Sequence, residues 1–383
     1  MVNFKTKLPR VGQTIFSTIT AKANAEGALN LGQGFPDFDG DSFLKDRICH
    51  YIENGHNQYA PMVGVSSLRE SIAKYFSFKY SLSLNADTEI TITSGATEAL
   101  TCSILALIEE GDEVIVFDPS YDSYVPAIEL AGGVARRLNL LDEEFSLPFS
   151  TIEKTINTKT KMIIVNSPHN PTGSSLSKED WERLVELIED KNVYILSDEV
   201  YEGIFFDDET HFNPRSIESI NDRLISVYSF GKSCHMTGWK VGYAIANAEL
   251  STELRKLHQY FTFSTFTAAQ MAIADYLSER MQNFIDLRKF YQEKRDFFVN
   301  GLANSRFKVL SPSGTYFCLL DYSDISDLAD FDFCMKLITD HGVATIPISG
   351  FYESAPKDQR IIRVCFAKDQ ETLARALEIL NTI

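Results

Sequence analysis

A lysine set in a small-residue turn between two apolar runs constrains this chain more than any other feature. Leu224-Ile225-Ser226-Val227-Tyr228 reads as a buried strand, and Val241-Gly242-Tyr243-Ala244-Ile245-Ala246 reads as a second. Between them, Ser229-Phe230-Gly231-Lys232-Ser233 places Lys232 just past a strand end. Lysine is almost never fully buried unless it is paired. One reading is an amine that forms a Schiff base with a carbonyl cofactor, which needs a partly desolvated site that lowers its pKa. The alternative is a loop lysine in a surface ion pair, and the S-x-x-K spacing also occurs in serine hydrolases. The choice turns on whether the rest of the chain supplies partners for a cofactor.

At 383 residues the chain is too long for one core and predicts two domains. Its 36 Lys and Arg against 53 Asp and Glu give a net charge of −17, with no basic run. That argues against nucleic acid or an anionic membrane as the main partner. Cys49, Cys102, Cys234, Cys318, Cys334 and Cys365 form no C-x-x-C pair, so neither a metal site nor a disulfide framework is signalled. They read as buried free thiols of a cytoplasmic protein. No apolar stretch approaches the roughly 18 residues of a membrane span, and residues 1–30 lack an apolar signal core.

In chain order, a polar lead-in with a short helix at 15–25 precedes Leu31-Gly32-Gln33-Gly34-Phe35-Pro36, a loop whose backbone can approach a ligand. Helices are expected at 41–56 and 66–79, with Tyr59 in the turn between them. Strand 89–93 runs through Ser94-Gly95-Ala96-Thr97 into a helix, an anion site if the helix N-terminus is free and an ordinary capped turn if Thr97 is the cap. Strand 113–118 ends at Pro119-Ser120-Tyr121, and strand 161–166 ends at the rigid turn Ser167-Pro168-His169-Asn170-Pro171. Strand 193–198 ends at Asp198, which could equally be a helix cap. Past residue 246 come long helices, then short strands around 307–310, 315–320 and 361–367. This second unit is α+β, distinct from the βαβ core. Arg363, mid-strand among apolar residues, needs a carboxylate partner, its own or a substrate's.

These signals are modest singly and describe one chemistry jointly. Lys232 can bind an aldehyde. Gly95–Thr97, Ser229 and Lys240 can hold a phosphate, and Asp198 a pyridinium. Asn170 and Tyr201 can bond a phenolate oxygen, Tyr121 can stack on a ring, and Arg363 can clamp an α-carboxylate. Together they point to pyridoxal 5′-phosphate and an amino acid.

The chain resembles the class I pyridoxal-phosphate aminotransferases of fold type I over nearly its whole length. LGQGFPDFDG, NQYAPMVGVSSLRE, TSGATEAL, FDPSYDSY, NSPHNPTG, SDEVYE, SFGKSCHMTGWKVGYA, HQYFTFS and RVCFAK carry the likeness in order. The methionine aminotransferases of bacteria, kin of the kynurenine–glutamine transaminases, are the branch it looks most like. The resemblance implies an α/β large domain at 41–280, with a mostly parallel seven-stranded sheet and helices on both faces. A smaller α+β domain would be built from 1–40 and 281–383. It also implies a homodimer with shared active sites. Lys232 would be the Schiff-base lysine and general base. Asp198 would pair with the ring nitrogen, Asn170 and Tyr201 with the ring oxygen, and Tyr121 would stack. Ala96, Thr97, Ser229 and Lys240 would hold the phosphate, joined by Tyr59 of the other subunit. Gly34, Asn170 and Arg363 would receive the substrate carboxylate. Lys240 stands where many aminotransferases have arginine, which exchanges a bidentate fork for a point charge.

Ile15, Phe16, Tyr59, Phe261, Phe263 and Phe351 are the expected side-chain wall. Being apolar and aromatic, that wall favours methionine and large neutral donors over aspartate. The amino group would pass to a 2-oxo acid in ping-pong order. A carbon–sulfur β-lyase could use the same residues. A non-catalytic cofactor-binding regulator would need a basic extension that this chain lacks.

Overall fold

The computed structural model describes residues 6–9, 11–207 and 210–383; part of the polar lead-in, residues 1–5 and 10, lies outside them. The central sheet is built from β1 (Ile90–Thr93), β2 (Glu113–Asp118), β3 (Val134–Asn139), β4 (Thr160–Asn166), β5 (Tyr194–Asp198), β6 (Leu224–Ser229) and β7 (Gly242–Ile245). Their spatial order is β1-β7-β6-β5-β4-β2-β3. Only β7 runs against its neighbours. The C-terminal ends of β1, β2, β4, β5 and β6 therefore lie along one edge, where open α/β sheets bind ligands.

Near-continuous apolar runs suit strands covered on both faces. Val114, Val116, Met162, Ile164 and Leu196 point into one core with helices Gly95–Leu107, Tyr124–Leu130 and Ala248–Phe261. The alternate residues Ile115, Phe117, Ile163, Val165 and Ile195 point into another with Phe149–Thr155 and Lys178–Ile188. This is the period-2 alternation of a pleated strand. A capping box between Ser177 and Asp180 starts the second of these helices three residues before the expected Trp181.

The second unit is a four-stranded antiparallel sheet of β8 (Lys308–Leu310), β9 (Phe317–Asp321), β10 (Ile346–Pro347) and β11 (Ile361–Cys365), in the order β10-β11-β9-β8. Helices Leu287–Gly301, Asp330–His341 and Gln370–Leu380 accompany it. The first helix, Ile15–Glu26, packs Ile19 and Ala23 into this same core. A two-residue parallel pairing of Leu29–Asn30 with Val343–Ala344, too short to read from sequence, ties the chain's beginning to its end. One expectation fails among the cysteines: Cys49 is exposed, and the other five are buried free thiols. Cys49 lies on helix Ser42–Glu53, whose one buried residue is Leu44, so most of that helix faces outward.

Gly242 sets how closely β7 approaches the turn after β1. A Cβ on it would lie 2.7 Å from Ala96 N, 2.7 Å from Gly95 C and 2.8 Å from Tyr228 O, all backbone atoms that cannot swing aside. Gly242→Ala should therefore cost roughly 1–3 kcal/mol, the scale of overpacking. Gly238→Ala, which meets nothing within 4 Å, should cost far less. Urea unfolding of the two variants measures the difference.

Candidate active site

The shared strand edge opens into a cavity of about 370 Å³. Phe16, Gly34, Ala96, Thr97, Tyr121, Asn170, Asp198, Tyr201, Ser229, Lys232, Lys240 and Arg363 all line it. The chain thus brings together every residue expected to hold the cofactor or the substrate carboxylate except Tyr59.

Lys232 is the third residue of a short helical turn, Phe230–Ser233, directly after β6. Its Nζ donates to Tyr316 Oη at 2.9 Å and to Gly34 O at 3.3 Å. Burial disfavours the ammonium and lowers its pKa from 10.5 to about 8. Asp198 ends β5 and is buried. Burial raises its pKa to about 6, against the opposing hydrogen bond from Tyr124 Oη at 2.6 Å. A turn follows Asp198 and no helix begins there, so the capping alternative has no helix to cap.

At the end of β1, helix Gly95–Leu107 begins with Ser94 at the N-cap position and no side-chain cap. Its first amides have no intrahelical acceptors, and the helix dipole favours an anion there. Thr97 sits inside the first turn rather than at the cap. The Lys240 Nζ packs 3.3 Å from where a Gly95 Cβ would stand, which brings a cation to those amides.

Arg363, in β11, is almost fully buried. Its guanidinium donates to Asn170 Oδ1 at 2.7 Å and to Gly32 O at 3.0 Å, and stacks 3.9 Å over the Phe317 ring. No carboxylate among the described residues pairs with it, and its buried Nε has no partner. Asp122 acts on it only through space, so of the two alternatives, a carboxylate of the chain or one of a substrate, the described residues leave the second. Burial pulls even this guanidinium down to about 10.

The expected side-chain wall is only partly assembled by one chain. Phe16 lines the cavity, with Phe351 edge-on behind it at 5.5 Å between ring centroids. Ile15 packs with Phe351 in the second unit's core and does not reach the cavity. Tyr59, Phe261 and Phe263 lie on the outside, with Tyr59 82% exposed and 5.2 Å from the Phe263 ring. Phe35 and Phe317 line the cavity instead.

Sequence reasoning missed three residues that hold the others. Tyr124 bonds Asp198, and Tyr316 bonds Lys232. Asn166 accepts from Asn170 N at 2.8 Å and donates to Asp198 O at 2.8 Å, which couples two strand ends. Asn166 and Tyr124 stood within the quoted motifs. Tyr316 carried no signal beyond its place in an apolar strand.

Strand ends that converge on a half-buried lysine, a buried carboxylate, an open helix N-terminus and an unpaired arginine define a group-transfer enzyme of the fold type I class. The family model for aminotransferase class I and II matches residues 26–380. The chain belongs to that family and is a transaminase. It is 46% identical to a methionine aminotransferase of Escherichia coli, over 99% of this chain and 98% of the relative. A kynurenine–oxoglutarate transaminase of Dictyostelium discoideum is 35% identical, over 94% and 91% respectively. A crystal structure of an Escherichia coli protein identified as having a methionine aminotransferase function superposes over 100% of both chains, with a TM-score of 0.98 and 45% identity.

Because the ammonium is disfavoured in the fold, a charged Lys232 costs stability below pH 8. The cost shrinks as pH rises from about 8 to 10.5, the unfolded value, and is gone above it. Cofactor-free Lys232→Met should therefore be more stable than the unsubstituted chain below pH 8, with the gap closing between 8 and 10.5. Denaturant unfolding across pH checks this, and a gap that widened above pH 8 would reverse the sign.

Proposed function

We propose that this transaminase uses pyridoxal 5′-phosphate to move the amino group of methionine, or of other large neutral and aromatic amino acids, to a 2-oxo acid in ping-pong order. The observation that carries the reading is Arg363: a buried guanidinium with an unpaired N–H, no protein carboxylate, and an aromatic lining beside it. A substrate α-carboxylate supplies the missing anion in the geometry arginine favours.

The donor set fits the cofactor. The open amides of Ala96 and Thr97, with Ser229 and Lys240, suit a phosphate. Asp198 is placed to bind a protonated ring nitrogen, whose positive charge would offset the burial that raises its pKa. Asn170 and Tyr201 would bond the ring oxygen, and Tyr121 would stack on the ring. When bound, the cofactor supplies a reactive aldehyde and an electron-accepting ring. Lys232 would hold the cofactor through Nζ, and as an amine with a lowered pKa it would serve as the base for the substrate Cα proton. Gly34 and Asn170 complete the carboxylate site around Arg363.

Substrate choice follows from charge. Apart from Lys232, Lys240 and Arg363, the lining carries no cation, and it includes Asp122. An aspartate or glutamate side chain would leave a second carboxylate unpaired there. Methionine fills irregular apolar space and contacts aromatic rings favourably.

The same reading includes a division into a 41–280 unit and a unit from 1–40 with 281–383, which the common core of the first helix and the C-terminal strands supports. It includes a homodimer as well. The exposed Tyr59, Tyr260, Phe261 and Phe266 make an apolar surface that a second copy would cover, carrying Tyr59 to the neighbouring phosphate site. A cytoplasmic location accords with five buried free thiols and with the absence, among the described residues, of a helix able to cross a membrane.

Steady-state kinetics with methionine, phenylalanine and aspartate as donors to one common oxo acid test the substrate reading. Methionine and phenylalanine should lie within about 10–200-fold of each other in kcat/KM, the worth of small apolar differences. Aspartate should be the poorest, and an aspartate-first ranking would overturn the pocket argument. Asp198→Asn should fold normally and bind the cofactor more weakly. The lost charge-assisted bond is worth roughly 1.5–3 kcal/mol, so turnover should fall by at least about 10-fold. Unchanged turnover would remove Asp198 from the site.

A further inference from the structure

Lys232 and Tyr316 meet through a hydroxyl that no motif of the sequence singled out. Tyr316 Oη donates to Gly34 O at 2.6 Å, and the same Oη accepts from Lys232 Nζ at 2.9 Å. Gly34 O accepts a second, longer contact from Nζ at 3.3 Å. The phenol is fully buried and edge-on to Tyr201, with ring centroids 5.1 Å apart. Burial keeps it from ionising, so it retains its one proton, donates it to Gly34 O, and accepts from the lysine through a lone pair.

A neutral primary amine has two N–H bonds and one lone pair. Here the N–H side of Nζ faces two acceptors set close together, Tyr316 Oη and Gly34 O. With that side of Nζ occupied, the lone pair is left for the opposite side, and the cavity that Lys232 lines also includes Asp198 and Asn170. We propose that Tyr316, braced by the Gly34 carbonyl, is a positioning residue that aims the lone pair of Lys232 at the carbonyl carbon of the cofactor. The inference rests on the reading of Lys232 as the attaching amine. In that step the nitrogen lone pair bonds to the aldehyde carbon, and the carbonyl oxygen leaves as water with the two amine hydrogens. Fixing the direction of attack shortens the search for a reactive geometry, and misplacement on the order of 1 Å can cost about 100-fold.

The same Oη also links the nucleophile to Gly34, the backbone placed beside the substrate carboxylate. Movement of the Gly34 loop would therefore be felt at Lys232.

Tyr291 supplies an internal control. Its ring lies 5.7 Å from that of Tyr316, in the same buried cluster, and its Oη has no partner. Deleting that hydroxyl perturbs the same aromatic packing without touching Lys232.

The experiment starts from cofactor-free protein. Pyridoxal 5′-phosphate is added, samples are quenched with borohydride at successive times, and the modified lysine is located and counted by peptide mass spectrometry. Tyr316→Phe should attach the cofactor to Lys232 about 10–100-fold more slowly across pH 7 to 9. Its final extent of labelling and its melting temperature should match the unsubstituted chain, and Tyr291→Phe should attach at the unsubstituted rate. Tyr316→Met fills similar space without the acceptor and gives a second measure should Tyr316→Phe fold poorly. An unsubstituted rate in Tyr316→Phe, or equal slowing in Tyr316→Phe and Tyr291→Phe, would overturn the proposal. Labelling that persists elsewhere in the site of Lys232→Ala would instead overturn the reading of Lys232 itself, a separate and distinguishable outcome.

Discussion

Two of the cations that line the cavity, Lys232 and Arg363, lie deep in it, and among the described residues neither is paired with a carboxylate. That constraint governs the arrangement around them. Burying an unpaired charge costs several kcal/mol. The chain limits the cost by letting Lys232 become neutral and by giving Arg363 an amide oxygen, a backbone carbonyl and an aromatic face. What remains unsatisfied, the Arg363 Nε and the open helix amides, suits the carboxylate and the phosphate of the proposed reading. The fold holds this costly arrangement because it rests on strands buried on both faces, whose ends cannot drift.

The sheet order then explains why residues so far apart in sequence meet. β7 inserts antiparallel between β1 and β6, and Gly242 at its start lets the turn at Gly95–Thr97 approach the end of β6. The open helix amides and Lys232 thus become neighbours. Asn166, at the end of β4, ties the Asn170 turn to the end of β5. β11 brings Arg363 from the second unit to Asn170, so the carboxylate site spans both halves of the molecule.

Much of this was legible in the sequence because strand ends announce themselves: an apolar run followed by a polar or small residue and a turn. Lys232, Asp198, Asn170, Tyr121 and Gly95–Thr97 all carry that signature. Arg363 was legible for a different reason, as a charge in an apolar strand. What escaped were contacts between elements without local signals. Tyr316 reads as one more aromatic in a core strand, and only the tertiary fold puts its hydroxyl against Lys232. Tyr124 stands in the motif after strand 113–118 with no local sign that it bonds Asp198. The parallel pairing at Leu29–Asn30 is two residues long and has no pattern to find. The side-chain wall was hardest: Tyr59, Phe261 and Phe263 face outward in a single chain, so their bearing on substrate depends on a second copy.

The central claim is that Lys232, Asp198 and Arg363 form one site that accepts an amino group and holds it until a second substrate arrives. A single-turnover measurement tests it most directly. Cofactor-loaded protein is mixed with methionine and no oxo acid, and the 2-oxo product is counted against sites. The account predicts one equivalent of product per Lys232, an arrest, and resumed turnover when a 2-oxo acid is added. Continued release of oxo acid and ammonia without an acceptor, or no product at all, would contradict it.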